Sequence, residues 1–234
     1  MVALNALLIT GTDTEVGKTV VTSALLAYWR KYYPQQSIGI LKPLQSGEGD
    51  RELYQRVFFP DLPLDAIAPQ YFEAPLALPL AAALEQRPID LGVVWNRLQT
   101  LIQTHDRVLV EGLGGLGSPV TDEMTVADLA AAWHLPVVLV VPVKLGAIAQ
   151  AVANVALARQ QKVDLRGIIL NCNHPLSPED LERWAPAEMI TRLTQTPVLG
   201  VCPYLENPES LESLAQAAQG LHLDALGTTQ PAMR

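Results

Sequence analysis

The sequence predicts an open α/β domain, a mostly parallel sheet with helices on both faces. Three observations lead there. Apolar runs of strand length recur along the chain and are apolar on both faces, as parallel strands covered on two sides must be. They alternate with stretches of helical periodicity. The first run passes through a Gly/Thr turn straight into a helix. With 234 residues, 49% of them hydrophobic, the chain can build one large core, and residues 1–234 are read as a single domain.

The elements follow in order. "ALLIT" (6–10) is a buried strand. "KTVVTSALLAYWRKYY" (18–33) is a helix stopped by Pro34, because proline cannot continue one. "SIGILKP" (37–43), "DRVLVEG" (106–112) and "PVVLVVPV" (136–143) are the second to fourth strands. "AIAQAVANVALARQQ" (147–161) is helical and "LRGIILN" (165–171) is the fifth strand. "PEDLERWAPAEMITRL" (178–193) is partly helical, "PVLGVCP" (197–203) the sixth strand, and "PESLESLAQAAQG" (208–220) the last helix. Residues 44–105 are less regular; "EAPLALPLAAALEQRP" reads as a crossover with a short helix, and the tail "TTQPAMR" as frayed. Tryptophans 29, 95, 133 and 184 sit in helical patterns and read as core or interface.

Composition excludes several functions. A net charge of -8 without a basic run argues against a nucleic-acid face, which needs clustered Lys and Arg. The apolar run "LPVVLVVPV" is too short to span a bilayer. "MVALNALLIT" lacks a basic leader and runs straight into the first loop, so it reads as a strand and the expected location is cytoplasmic. Cys172 and Cys202 form no metal-ligand spacing and read as buried reduced thiols. His105, His134, His174 and His222 likewise have no metal spacing.

In open parallel sheets, ligands sit beyond the carboxyl ends of the strands, so the loops there carry the chemistry. "TGTDTEVGKTVV" (10–21) lies in the strand–helix context of a phosphate-binding loop, with one residue more between Gly11 and Gly17 than G-x-x-x-x-G-K-[ST] has. The mechanism resides in Gly17-Lys18-Thr19. Glycine admits close backbone approach, the helix N-terminus attracts phosphate, Lys18 reaches the terminal phosphates and the Thr19 hydroxyl binds Mg2+. This predicts a P-loop NTPase-like fold. Glu15 is out of place beside phosphate, so it either serves another substrate or points away from the nucleotide.

"KPLQSGEGD" (42–50) leaves the second strand. Lys18 and Lys42, at the ends of adjacent strands, suit a substrate that becomes anionic, and Asp50 is a second candidate Mg2+ carboxylate. "VEGLGGLGSP" (110–119) matches G-x-G-x-x-G at Gly112, Gly114 and Gly117. A dinucleotide site needs a helix opening within the glycines and an acid ending the next strand. Here Ser118-Pro119 follows, with no helical pattern before about Thr125, and the next strand ends at Lys144. Glu111 instead fits a Mg2+ ligand at a strand end beside a P-loop. Asn171 in "LNCN" is either a turn residue or a partner for an adenine edge, since an amide both donates and accepts.

These motifs resemble the dethiobiotin synthetases, ATP-dependent ligases of biotin synthesis, through "GTDTEVGKT", Lys42-Pro-x-x-Ser46-Gly with Asp50 after it, Glu111-Gly112-x-Gly114-Gly, Asn171 and "PYL" (203–205). The resemblance covers about residues 6–209. It implies that ATP, CO2 and 7,8-diaminononanoate give dethiobiotin, ADP and phosphate, with Mg2+ as cofactor and a homodimer as the assembly. It implies Lys42 and Lys18 as catalytic residues. Thr19, Asp50 and Glu111 would be the metal ligands. Glu15, Val16, Gly17, Lys18, Thr19, Val20, Asp50, Glu111, Gly112, Asn171, Pro203, Tyr204 and Leu205 would bind ATP, and Thr14, Ser46 and Gly114 the diamine. The segment 142–150 would help hold the substrate carboxylate across the dimer interface, although Ala149 stands near where many members carry Asn. "LALPLAAA" (76–83) lacks the Ser-Pro-His of many members. The rival is a P-loop switch ATPase of the partitioning or positioning type, which would need a basic DNA face or an amphipathic membrane tail. A related amidoligase would need an added glutamine-hydrolysing domain.

Overall fold

The structure is a computed structural model that describes residues 5–226; the tail expected to fray, 228–234, lies outside them. Ten α-helices and eight strands are defined among the described residues. Six strands form one parallel sheet: β1 (Ala6–Gly11), β2 (Ile38–Leu41), β5 (Arg107–Glu111), β6 (Pro136–Pro142), β7 (Asp164–Asn171) and β8 (Val198–Cys202). Their order is β2-β5-β1-β6-β7-β8. β1 lies between β5 and β6, with Ile9 opposite Glu111 and Gly11 opposite Val140. The chain leaves β1 toward β2 and β5, then returns past it to β6, β7 and β8. That reversal makes the end of β1 the switch point at which ligands bind in such sheets.

Alternation along each strand divides the core into layers, because successive side chains point to opposite faces. Leu7 and Ile9 of β1 join Val138 and Val140 of β6 beneath α1 (Lys18–Tyr32) and α10 (Leu211–Gln219). Ala6 and Leu8 join Val108 and Val110 of β5 beneath α4 (Leu78–Leu84), α5 (Leu91–Thr104) and α6 (Val126–Ala132). Leu139 and Val141 pack with Ile168 and Leu170 beneath α7 (Ala147–Gln160). The all-apolar strands of the sequence are thus strands covered on both faces.

The six strands and the helix over 18–33 stand where the sequence placed them, to within two residues. Residues 178–193 form two helices, α8 (Pro178–Trp184) and α9 (Ala187–Thr194), because Pro186 withholds a donor. The last helix starts at Leu211, after the Ser210 hydroxyl cap, rather than near 208.

The larger difference is in residues 44–105, which are far more ordered than the sequence suggested. They hold a two-stranded parallel sheet of β3 (Leu44–Ser46) and β4 (Gln70–Phe72), and the helices α2 (Asp50–Val57), α3 (Leu64–Ile67), α4 and α5. α2 is charged, and it buries only Arg51 and Tyr54. Such a helix carries no apolar stripe to read. α5 does carry one, Leu91, Val94, Leu98 and Leu101, and Asp90 caps it by accepting from the N–H groups of Gly92 and Val93. No helix among the described residues is long and apolar enough to cross a membrane.

Candidate active site

The loop between β1 and α1 is shaped by two glycines. A Cβ at Gly11 would lie 2.4 Å from Val16 Cγ2. Gly17 has φ 94°, and a Cβ there would lie 2.0 Å from Asn171 Nδ2. Only glycine meets both demands, a left-handed backbone and contact with the amide. The third glycine-rich loop packs against this one: the Leu116 N–H donates to Gly11 O at 2.8 Å. A Cβ at Gly115 would come within 2.7 Å of the Thr12 backbone. Gly115 therefore serves close loop packing, and the helix that follows opens only at Val126, capped by Thr125.

Four side chains converge at the end of β1. Lys42 Nζ contacts Asp50 Oδ2, lies 2.7 Å from Glu111 Oε1 and donates to Gly112 O at 3.3 Å. The Thr19 hydroxyl lies 2.9 Å from Asp50 Oδ1 and 3.2 Å from Glu111 Oε1. Lys42 and Glu111 are buried, at 3% and 0% exposure. Burial works against the Lys42 charge, but Glu111 and Asp50 outweigh it and hold the ammonium above its usual range. Burial lifts Glu111; Lys42 pulls it down and Asp50 adds to the rise. Asp50 is held low despite its burial, by Lys42 and then by Thr19. Lys18 folds back over its loop and donates to Asp13 O at 3.0 Å. Burial lowers its pKa against the pull of Glu111.

The sequence placed Lys18 and Lys42 at the ends of adjacent strands. The sheet order corrects this: β5 runs between β1 and β2. The consequence is chemical, because Glu111 then stands between the two lysines and offsets their repulsion.

The hydroxyl of Thr19 with the carboxylates of Asp50 and Glu111 is a hard-oxygen donor set. It fits a Mg2+ ion that keeps waters and takes phosphate oxygens. Among the described residues no three His, Cys, Asp or Glu side chains cluster as a metal cage.

A cavity of about 1100 Å3 opens over this cluster. Fourteen of the predicted site residues line it: Thr14, Glu15, Gly17, Lys18, Thr19, Val20, Lys42, Ser46, Asp50, Glu111, Gly114, Asn171, Tyr204 and Leu205. Three do not. The Val16 side chain is buried in the core, and only its carbonyl serves the site, accepting from Asn171 Nδ2 at 3.1 Å. Gly112 contributes its carbonyl to Lys42 from behind the wall. Pro203 lines a shallower neighbouring groove with Tyr204 and Leu205. Lys144 to Gln150 do not line the cavity of their own chain, and Leu145 there is 86% exposed.

Glu15 adopts φ 59°, its side chain is exposed, and its carbonyl accepts from Asn173 Nδ2 at 2.9 Å. Its main chain is thus moored to the loop after β7, across the sheet from Lys42. Asn171 is buried, donates to Val16 O and to Asn173 Oδ1, and keeps an unpartnered Oδ1. It ends β7 and lines the cavity.

Sequence reasoning missed two supporting residues. The buried Tyr54 hydroxyl donates to Glu111 Oε2. It lies four residues after Asp50, one turn along α2, so helical spacing from a metal-ligand candidate was the available signal. Asn173, two residues beyond Asn171, was the other. Leu44, Pro75, Leu76, Ala77 and Leu113 give the cavity one apolar wall. The two cysteines are free and buried as expected, and burial pushes Cys202 up to about 12.

A family model described as an AAA domain matches residues 5–210. The chain is 57% identical to the ATP-dependent dethiobiotin synthetase BioD of Crocosphaera subtropica, over 95% of this chain and all of that protein. It is 55% identical to the protein of the same name from Gloeothece citriformis, over 94% and 98% of the two chains. With that of Bacillus subtilis strain 168 it shares 34% over 85% and 87%. Among solved structures, its fold is similar to the MinC:MinD cell division protein complex of Aquifex aeolicus, with a TM-score of 0.57 and 17% identity over 98% of both chains. The Pyrococcus furiosus cell division ATPase MinD gives 0.51 and 14% over 92% and 98%. At those identities the likeness is one of fold.

Proposed function

The chain belongs to the ATP-dependent dethiobiotin synthetases, and we propose that this cavity is where ATP, CO2 and 7,8-diaminononanoate are converted to dethiobiotin, ADP and phosphate. The observation that carries the assignment to this site is the contact of Lys42 with both Asp50 and Glu111, beside Lys18 and Thr19 of the phosphate loop.

The chemistry needs anions handled next to a nucleotide. One substrate amine adds to CO2 and loses a proton, giving a carbamate. A carbamate oxygen attacks the γ-phosphorus and ADP leaves, giving a carbamic-phosphoric anhydride. The second amine attacks its carbonyl carbon, phosphate departs and the ureido ring closes. Lys42 faces the carbamate and Lys18 the terminal phosphates, and each offsets negative charge in a site where water screens it little. No covalent enzyme intermediate is required, so most of the rate comes from holding the reactants in line.

Thr19, Asp50 and Glu111 would hold Mg2+, which when bound supplies positive charge to the phosphate oxygens. Thr14, Ser46 and Gly114 place the diamine, with the apolar wall at Leu76 and Leu113 beside its alkyl chain. Asn171, Tyr204 and Leu205 take the base end of ATP. The segment 142–150 serves the substrate carboxylate of a partner subunit in a homodimer, in keeping with its position off its own cavity. Residues 1–234 act as one ligase domain, in the cytoplasm.

The test is phosphate release from Mg-ATP with bicarbonate, with and without the diamine. Release that needs both, forms dethiobiotin and falls at least a hundredfold in Lys42→Ala supports this reading. Release indifferent to the diamine supports a switch ATPase and removes the roles given to Lys42 and Ser46.

A further inference from the structure

Glu111 is fully buried, and its two oxygens are served by different residues. Oε1 accepts from Lys42 Nζ at 2.7 Å and from the Thr19 hydroxyl at 3.2 Å. Oε2 accepts from the Tyr54 hydroxyl. An ionised carboxylate only accepts, so the phenol is the donor. Tyr54 is itself fully buried and does not line the cavity. Its hydroxyl reaches the site through Glu111.

Tyr54 also belongs to the helix that carries Asp50. α2 begins at Asp50, and Tyr54 follows one turn later on the same side. Of the two residues that α2 buries, Arg51 turns to the small sheet, with its guanidinium 3.4 Å from the centre of the Tyr71 ring. Tyr54 turns to the end of β5. The helix fixes the spacing of Asp50 and Tyr54, so the bond to Glu111 also sets where Asp50 stands against Glu111. The two carboxylates meet at the Thr19 hydroxyl, 2.9 Å from Asp50 Oδ1 and 3.2 Å from Glu111 Oε1.

Taking Thr19, Asp50 and Glu111 as the Mg2+ donors of the proposed ligase, we propose that Tyr54 is a positioning residue for that set. Its hydroxyl holds Glu111 Oε2 and so keeps Oε1 and Asp50 turned to Thr19. Without the hydroxyl, Oε2 is buried and unpaired. The donors left to Glu111 are Lys42 and Thr19, both already on Oε1, so the carboxylate turns to share them and the set loses its arrangement. Hydrogen-bond partners of metal-ligating carboxylates govern metal affinity by about tenfold or more.

The measurement is ADP binding to the full chain by titration calorimetry, in a chelator and across a series of Mg2+ concentrations, for wild type, Tyr54→Phe and Phe58→Leu. Phe58 is buried at the end of α2, and its ring lies 6.5 Å from that of Tyr54. Its replacement loosens the same helix without removing a bond to Glu111. In wild type Mg2+ tightens ADP binding. In Tyr54→Phe the Mg2+ concentration that gives half of that tightening rises about tenfold, while the affinity in chelator is unchanged. Phe58→Leu lowers Tm and keeps the wild-type Mg2+ midpoint. A wild-type midpoint in Tyr54→Phe, or an equal rise in Phe58→Leu, overturns the inference. The ligase assay on the same preparations separates the two proposals. Phosphate release indifferent to the diamine, with the midpoint raised in Tyr54→Phe alone, overturns only the ligase reading. Diamine-dependent ligation with an unmoved midpoint in Tyr54→Phe overturns only the role of Tyr54.

Discussion

Glu111 shows what a single buried carboxylate requires. It has no exposure, and its two oxygens are shared among Lys42, Thr19 and Tyr54. Lys42 and Thr19 were legible in the sequence, because each follows a strand into a polar loop. Tyr54 was not, because nothing local shows that its hydroxyl meets a residue 57 positions away. Tyr54→Phe keeps the ring and removes only that donor, leaving Oε2 buried and unpaired. The expected loss is about 1–3 kcal/mol, read as a fall in Tm of about 2–4 °C per kcal/mol for a chain of this size. An unchanged Tm would mean the hydroxyl does not support Glu111. Asn171 illustrates the same division: its position after a strand was readable, but the direction of its amide is set by Asn173 and by carbonyls of another loop.

At the scale of elements, β2 begins beside β5, and the junction is tied by Asp106. Its carboxylate accepts from the Ser37 N–H at 2.8 Å and from the Ser37 hydroxyl at 2.7 Å. These bonds, the backbone one foremost, hold Asp106 below its ordinary 3.8. A carboxylate whose folded pKa is depressed contributes stability above its unfolded pKa and loses it as pH falls through the folded value. The Tm gap between wild type and Asp106→Asn should therefore be present at pH 7 and close below about pH 3.8. A gap that persists there would assign the effect to something other than the charge. The strands were legible because they are uniformly apolar, and α1 because a glycine opens it and Pro34 follows it. α2 was not, since it is held by Tyr54 and Arg51 rather than by an apolar stripe. α5 carries a readable stripe that was overlooked among the prolines around it.

For the whole molecule, the cavity draws on both sides of the switch point, with Lys42 and Glu111 at the ends of β2 and β5 and with Asn171 and Tyr204 at the ends of β7 and β8. A nucleotide that spans them stabilises the fold against unfolding. ADP with Mg2+ at about a hundred times its Kd should add about 2.7 kcal/mol and raise Tm by several degrees. The rise should be smaller when a chelator removes the metal, if Thr19, Asp50 and Glu111 hold it; an equal rise would count against that donor set. The sequence by itself determined the α/β class, the six parallel strands and the loops that carry the chemistry, because apolar periodicity and strand–loop–helix junctions are local properties. Only the tertiary structure decided that β5 enters between β1 and β2, that Glu111 thereby separates two lysines, and that Tyr54 and Asn173 hydrogen-bond to Glu111 and Asn171. Those facts depend on which distant segments meet, and strand order and side-chain direction follow from packing the whole sheet, not from any one stretch of it.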